Sequence, residues 1–302
     1  MNKYALAILA LDADLAVMTA LPAATAMGPA TLRVADEGRA LALYRDLIGL
    51  EVIERANGKI ALGAGEKPFL FLDVVPGTRP RPPHATGLYH VAILLPDRAA
   101  LGQTIARLTE AGIKLGAADH NVSEAIYLWD ADNNGIEIYR DRPRAEWQWN
   151  DGLVTMGSAP LDFAGLLADG AKSRTNGHVP AGTHIGHIHL QVGDIEEAER
   201  FYCGILGFAR TAEWRGALFV SAGGYHHHLG LNVWESKNGP LPPKNAAGLE
   251  QFAIELPNDA DVAALRARIE VAGLQVEQNG RAFVVRDPWQ TAIRISPLQA
   301  RG

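Results

Sequence analysis

"VADEGRALALYRDLIGL", residues 34–50, aligns without gaps on "VGDIEEAERFYCGILGF", residues 192–208, and that alignment decides the fold. Valine, aspartate, alanine, tyrosine and glycine coincide, and the apolar rhythm coincides with them. A second pair matches as well: "HVAILLPDRAALGQTIARLTEAGI" (90–113) on "QFAIELPNDADVAALRARIEVAGL" (251–274). The chain therefore holds four copies of one small unit, two in each half. Each copy opens with a short alternating strand such as "HIHLQV", stopped by an Asp or Asn that can cap a helix. An amphipathic helix follows and ends at Gly49, Gly112, Gly207 or Gly273. Further strands come next, such as "KIALGAG", "FLFLDVV", "EAIYLWD" and "GIEIYR".

Each unit thus reads β-α-β-β-β and cannot close a sheet alone. Two must pair into a curved sheet, with helices outside and a concave cup inside. The expected fold is α+β: four tandem βαβββ units forming two curved-sheet cups. Residues 1–26 read as an N-terminal extension, 27–143 as a first two-unit domain, 144–182 as a connector of mixed composition, and 183–302 as a second two-unit domain.

The totals fit a globular chain of about two domains: 302 residues, 48% apolar, 21% charged. A net charge of −6 speaks against a broad nucleic-acid-binding face. The single cysteine, Cys203, rules out an intrachain disulfide and fits a reducing compartment. Asp12 and Asp14 interrupt the apolar N-terminus, which leaves a poor signal sequence and no membrane span. The expectation is a cytoplasmic protein that acts on a small molecule, with room for a homo-oligomer.

Strand parity sends His187, His189 and Gln191 into a cup, and likewise His90, Ala92 and Leu94, while Ile188, Leu190, Val91 and Ile93 lie under the helices. Seven residues before each cap stand Pro29, His90, His187 and Gln251. Near the end of the last strand, "DADNNGIEIY" aligns with "DPWQTAIRIS", which sets Glu137 against Arg294. Two histidines and a carboxylate at repeat-equivalent, inward-facing positions make a 2-His-1-carboxylate face, a set that suits Fe(II) and Mn(II). His90 and Glu137 belong to unit 2 and His187 to unit 3, so only a sheet pairing units 2 and 3 assembles the set. A third histidine-rich stretch is "GGYHHHLGLN" (223–232). Extrapolated from Leu229 and Leu231, strand parity turns His226 and His228 into the cup and His227 away; a bulge at Gly223–Gly224 would reverse this.

From about residue 27 to 298 these features resemble the vicinal oxygen chelate superfamily (glyoxalase, bleomycin resistance, extradiol dioxygenase), within it the two-domain CatE-like catechol 2,3-dioxygenase type. The most specific stretch is "DHNVSEAIYLWDADNNGIEIY", in which Tyr127 stands ten residues before Glu137, the spacing of the active-site tyrosine and the metal glutamate in extradiol enzymes. The resemblance implies His90, His187 and Glu137 as metal ligands, Fe(II) as the metal with Mn(II) also suited, and a catechol-like substrate cleaved with O2. It also implies His227 as the acid–base, with His228 the choice by parity, and Tyr127 and His120 beside the substrate. Familiar extradiol enzymes place their ligands in the C-terminal half, where this chain has Gln251 and Arg294. The alternatives are a glyoxalase-I-like metal-dependent isomerase, which wants a second carboxylate, and a non-catalytic protein that binds an aromatic compound without metal.

Overall fold

The structure is a computed structural model that describes residues 20–172 and 177–298. Most of the expected N-terminal extension, residues 1–19, lies outside the described residues. All four units appear, and each helix begins the same way. The side chains of Asp36, Asp97, Asp194 and Asn258 accept the backbone N–H three residues on, which satisfies one of the donors that a helix start leaves open. The glycines that end the helices have positive φ. Units 2 and 4 carry regular helices, Arg98–Glu110 and Asp259–Val271. Units 1 and 3 carry one α-helical turn, Glu37–Leu41 and Ile195–Glu199, that widens into a π-helical segment, Ala42–Leu47 and Arg200–Ile205.

The chain forms two eight-stranded sheets, and each takes one unit from each half of the sequence. Units 2 and 3 share one sheet, joined antiparallel through their opening strands Gly87–Leu94 and His184–Gln191. Units 1 and 4 share the other, joined through Ala26–Val34 and Gly248–Leu256. In units 2, 3 and 4, as in unit 1, the opening strand also runs parallel to the last strand of its own unit. One continuous core lies between the helices and the sheets; Leu32, Leu72, Ile93, Ile188, Phe252 and Ile295 are all fully buried in it. Two buried tyrosines tie the sheets together: Tyr44 Oη donates to Asp130 Oδ2 at 3.0 Å and Tyr202 Oη to Asp287 Oδ2 at 2.9 Å.

The connector is more ordered than its composition suggests. It contains a short hairpin and a helix, Phe163–Lys172, laid across the unit 2 helix. Gly102 permits that approach, because a Cβ there would stand 1.9 Å from Leu166 O. No helix among the described residues is long and apolar enough to cross a membrane.

Candidate active site

The cup of units 2 and 3 encloses a cavity of about 460 Å3. Strand register sets its floor. His187 stands opposite Ala92 and His189 opposite His90 on the antiparallel opening strands, and Ala92 neighbours Glu137 on the parallel last strand of unit 2. His90 Nε2 and His187 Nε2 consequently lie 2.9 and 3.1 Å from one oxygen, Glu137 Oε2, and 3.3 Å from each other. All three residues are buried, and their ligand atoms fall within 4.8 Å of one another. The donor set fits a divalent metal: two imidazole nitrogens and a carboxylate oxygen aim at one point rather than at separate partners, and His187 Nδ1 has no hydrogen-bond partner. Burial acts to raise the Glu137 pKa, but His187 and His90 outweigh it and hold the carboxyl well below the usual range. Burial likewise pushes His90 down, against the pull of Glu137. Both groups are thus in the forms that bind metal.

The fourth repeat position decides the character of the set. In unit 3 the residue that occupies the place of Glu137 is Gly230, the partner of His189. A Cβ there would stand 2.8 Å from the His189 ring, so the imidazole takes the space a second carboxylate side chain would need. His189 Nε2 contacts Asn232 Nδ2 at 3.0 Å, and burial with two neighbouring histidines pushes its pKa well down.

Tyr127 sits beside Glu137 on the adjacent antiparallel strand. His120 Nδ1 lies 2.7 Å from the Gly157 carbonyl and must donate to it, which leaves Nε2 to accept from Tyr127 Oη at 2.6 Å. Burial, with Glu137 nearby, raises the Tyr127 pKa well above normal and keeps the phenol protonated.

The triple histidine departs from simple strand parity. The strand begins only at Leu229, and Gly223 and Gly224 both have positive φ, so the alternation cannot be extended back through 226–228. All three histidines are buried, each in its own setting. His227 lines the cavity with its ring 4.1 Å from that of His187. His228 does not line it; its Nδ1 accepts from Ala222 N at 3.2 Å, and burial pushes its pKa to about 3. His226 does not line it either, but bridges Asp141 Oδ1 (2.8 Å) and His227 Nδ1 (2.7 Å). The Asp141 carboxylate can only accept, so His226 carries its proton on Nε2 and takes the Nδ1–H of His227. That arrangement leaves His227 Nε2 as the free base. Burial and the adjacent His187 and His226 depress the His227 pKa well below normal, which keeps the ring neutral.

Of the sequence-derived residues, His90, His187, Glu137, Tyr127, His120 and His227 gather at one cavity, and His228 lies behind it. Asp141 and the bridging role of His226 went unread, because the partners are 85 residues apart.

Comparison with known proteins gives a consistent placement. Residues 26–138 and 184–295 match the family described as the Glyoxalase/Bleomycin resistance protein/Dioxygenase superfamily. The chain is 43% identical over 276 residues to a catechol-2,3-dioxygenase of Bacillus subtilis (strain 168), covering 90% of this chain and 96% of that one. Among solved structures, a Bacillus subtilis protein superposes with a TM-score of 0.67 at 14% identity, covering 92% of this chain and 86% of the other. Glyoxalase I from Zea mays superposes at 0.54 with 15% identity, covering 91% and 92%. At those identities the two structures speak to the fold.

Proposed function

The chain belongs to the Glyoxalase/Bleomycin resistance protein/Dioxygenase superfamily, and from that premise we propose that it is an extradiol ring-cleaving dioxygenase, opening a catechol-like ring with O2 at one mononuclear Fe(II) site. The observation that carries this reading is the convergence of His90, His187 and Glu137 on one point of a buried cavity, with Gly230 where a fourth ligand would stand. Its 43%-identical relative named a catechol-2,3-dioxygenase supports the same reaction. Fe(II) held by these three residues would supply acidification of a coordinated catechol hydroxyl and a site for dioxygen.

The remaining residues manage protons and exclude water. His227, neutral and with Nε2 free, takes the second catechol proton and keeps it in the cavity for return later in turnover. Asp141 and His226 fix the tautomer that makes this transfer available. Tyr127 commits its own proton to His120 and so presents oxygen lone pairs to a substrate hydroxyl. Both atoms of O2 enter the product, a ring-opened acid with an aldehyde or ketone. The absence of a carboxylate at position 230 disfavours the isomerase chemistry, which needs a second acid to move a carbon-bound proton.

The test is oxygen uptake by protein loaded anaerobically with Fe(II) and supplied with catechols. We expect one O2 consumed per ring with a yellow product, and loss of both in His90→Ala. Bound metal with no uptake on any catechol would sink the reading.

A further inference from the structure

Three tryptophans that line the mouth of the cavity are half exposed: Trp129 (57%), Trp214 (52%) and Trp234 (46%). They come from three separate elements. Trp129 lies two residues beyond Tyr127 on one strand, Trp214 ends the strand Ala209–Trp214, and Trp234 follows the last strand of unit 3. Trp234 is anchored, its Nε1 donating to Arg215 O at 2.9 Å. Its ring lies 5.6 Å from that of His189, which lies 4.8 Å from that of His90, so an aromatic wall runs without a break from the mouth to the candidate ligands. Apolar area left in water at a cavity mouth marks a binding surface.

The charge of the lining sharpens what is bound. Among the described residues around this cavity, Glu137 and Glu213 are the charged groups, and no lysine or arginine lines it. Glu213 is held by Arg210, which does not line the cavity. A carboxylate-bearing substituent would find no cation here and would give up its hydration against indole rings. An alkyl or aryl group would cover the tryptophans and take apolar surface of both partners out of water.

We propose that Trp129, Trp214 and Trp234 form the specificity wall for an uncharged, apolar ring substituent that projects from the cup, so that neutral alkyl- or aryl-substituted catechols are the preferred ligands and acidic catechols are disfavoured. This rests on the ring-cleavage reading for the identity of the ring, and on the wall itself for the substituent.

Binding without turnover tests it. The metal-loaded protein is titrated anaerobically, by calorimetry, with 4-butylcatechol and with its carboxylate-ended counterpart of equal length, 4-(3-carboxypropyl)catechol. The butyl compound should bind about tenfold more tightly or better. In Trp214→Ala and Trp234→Ala the ratio should shrink to about twofold, with Trp→Phe restoring most of it. Equal affinities, or a ratio untouched by both alanine variants, would overturn the proposal. So would tryptophan fluorescence shielded from acrylamide because a second copy covers the wall. The two readings fail separately: a preserved binding ratio with no oxygen uptake would sink the ring-cleavage reading alone, and uptake without a ratio would sink the wall alone.

Discussion

The two cups share a backbone and differ in the side chains it carries. Even their irregularities coincide. The central strand pair of units 1 and 4 shifts register between Met27 and Ala30 and again between Thr31 and Leu32; that of units 3 and 2 shifts between Ile185 and His187 and again between His189 and Leu190. Counted back from the caps Asp36 and Asp194, the second shift falls at the same place in both and the first begins at the same residue. Ala253 pairs with Arg294 as Ala92 pairs with Glu137. Where the first cup has His187, His90, Glu137 and Gly230, the second has Pro29, Gln251, Arg294 and Phe71. The second cup also holds a cavity, about 730 Å3, edged by Arg33, Lys59, Lys244 and Arg286. The fold sets directions at equivalent positions, and a few side chains decide whether those directions become a metal centre.

That comparison can be broken. Glu137→Arg imports the second cup's residue into the first, placing a cation against two imidazoles. Metal content by elemental analysis should fall below about a tenth of an equivalent, and ring cleavage by a factor of about 10^4. The reverse experiment, Pro29→His with Gln251→His and Arg294→Glu, should raise the metal content of the chain from one equivalent to two. A value that stays at one would mean that the surroundings, and not the donor positions alone, make the site.

Within the first cup, His227→Asn should retain metal and lower kcat by about 10^2- to 10^4-fold. Asp141→Asn should cost less, about 10- to 100-fold, because it removes the group that fixes a tautomer and leaves the base in place. Equal losses in the two variants would make Asp141 more than a positioning residue.

The remaining effects concern stability and pH, and groups of the two cups should respond with opposite sign. His228, of the first cup, has a folded pKa of about 3, below the unfolded value of about 6.5. Its contribution is full above about pH 6.5 and is lost as pH falls toward 3. Asp287, of the second, is pushed up to about 6 by burial that its hydrogen bonds only partly offset, against about 3.9 unfolded. Its contribution is full below about pH 4 and is lost as pH rises through 6, by at most about 3 kcal/mol. Urea denaturation across pH 4–8 should therefore show Asp287→Asn flattening a loss on the alkaline side and His228→Gln a loss on the acid side. Parallel curves for both variants and the parent would refute the assignment.

Much of this molecule was legible early because repeats turn sequence into geometry. His90 and His187 share an offset from their caps, and the gapless alignment of the last strands exposed Glu137 against Arg294. What stayed hidden has particular physical causes. Two consecutive glycines with positive φ reset the alternation ahead of Leu229, so parity misplaced His228 and His226. The helix Phe163–Lys172 lies within a connector of mixed composition, and its close packing through glycines, Gly102 on one side and Gly170 on the other, depends on the partner helix. Trp129 shares the face of Tyr127 by strand parity, but its role, like that of Trp214, emerges only at the cavity mouth.

By itself the sequence determined the unit, its fourfold repetition, the caps and the three candidate ligands, because strand and helix periods and cap chemistry act over a few residues. The tertiary structure decided which histidine of the triple faces the cavity, what fixes its tautomer, and that the fourth position is filled by the ring of His189. Those depend on side chains brought together across scores of residues, by strand pairing within unit 3 for His189 and Gly230 and by the pairing of units 2 and 3 for Asp141 and His226, and no local rule of spacing reaches that far.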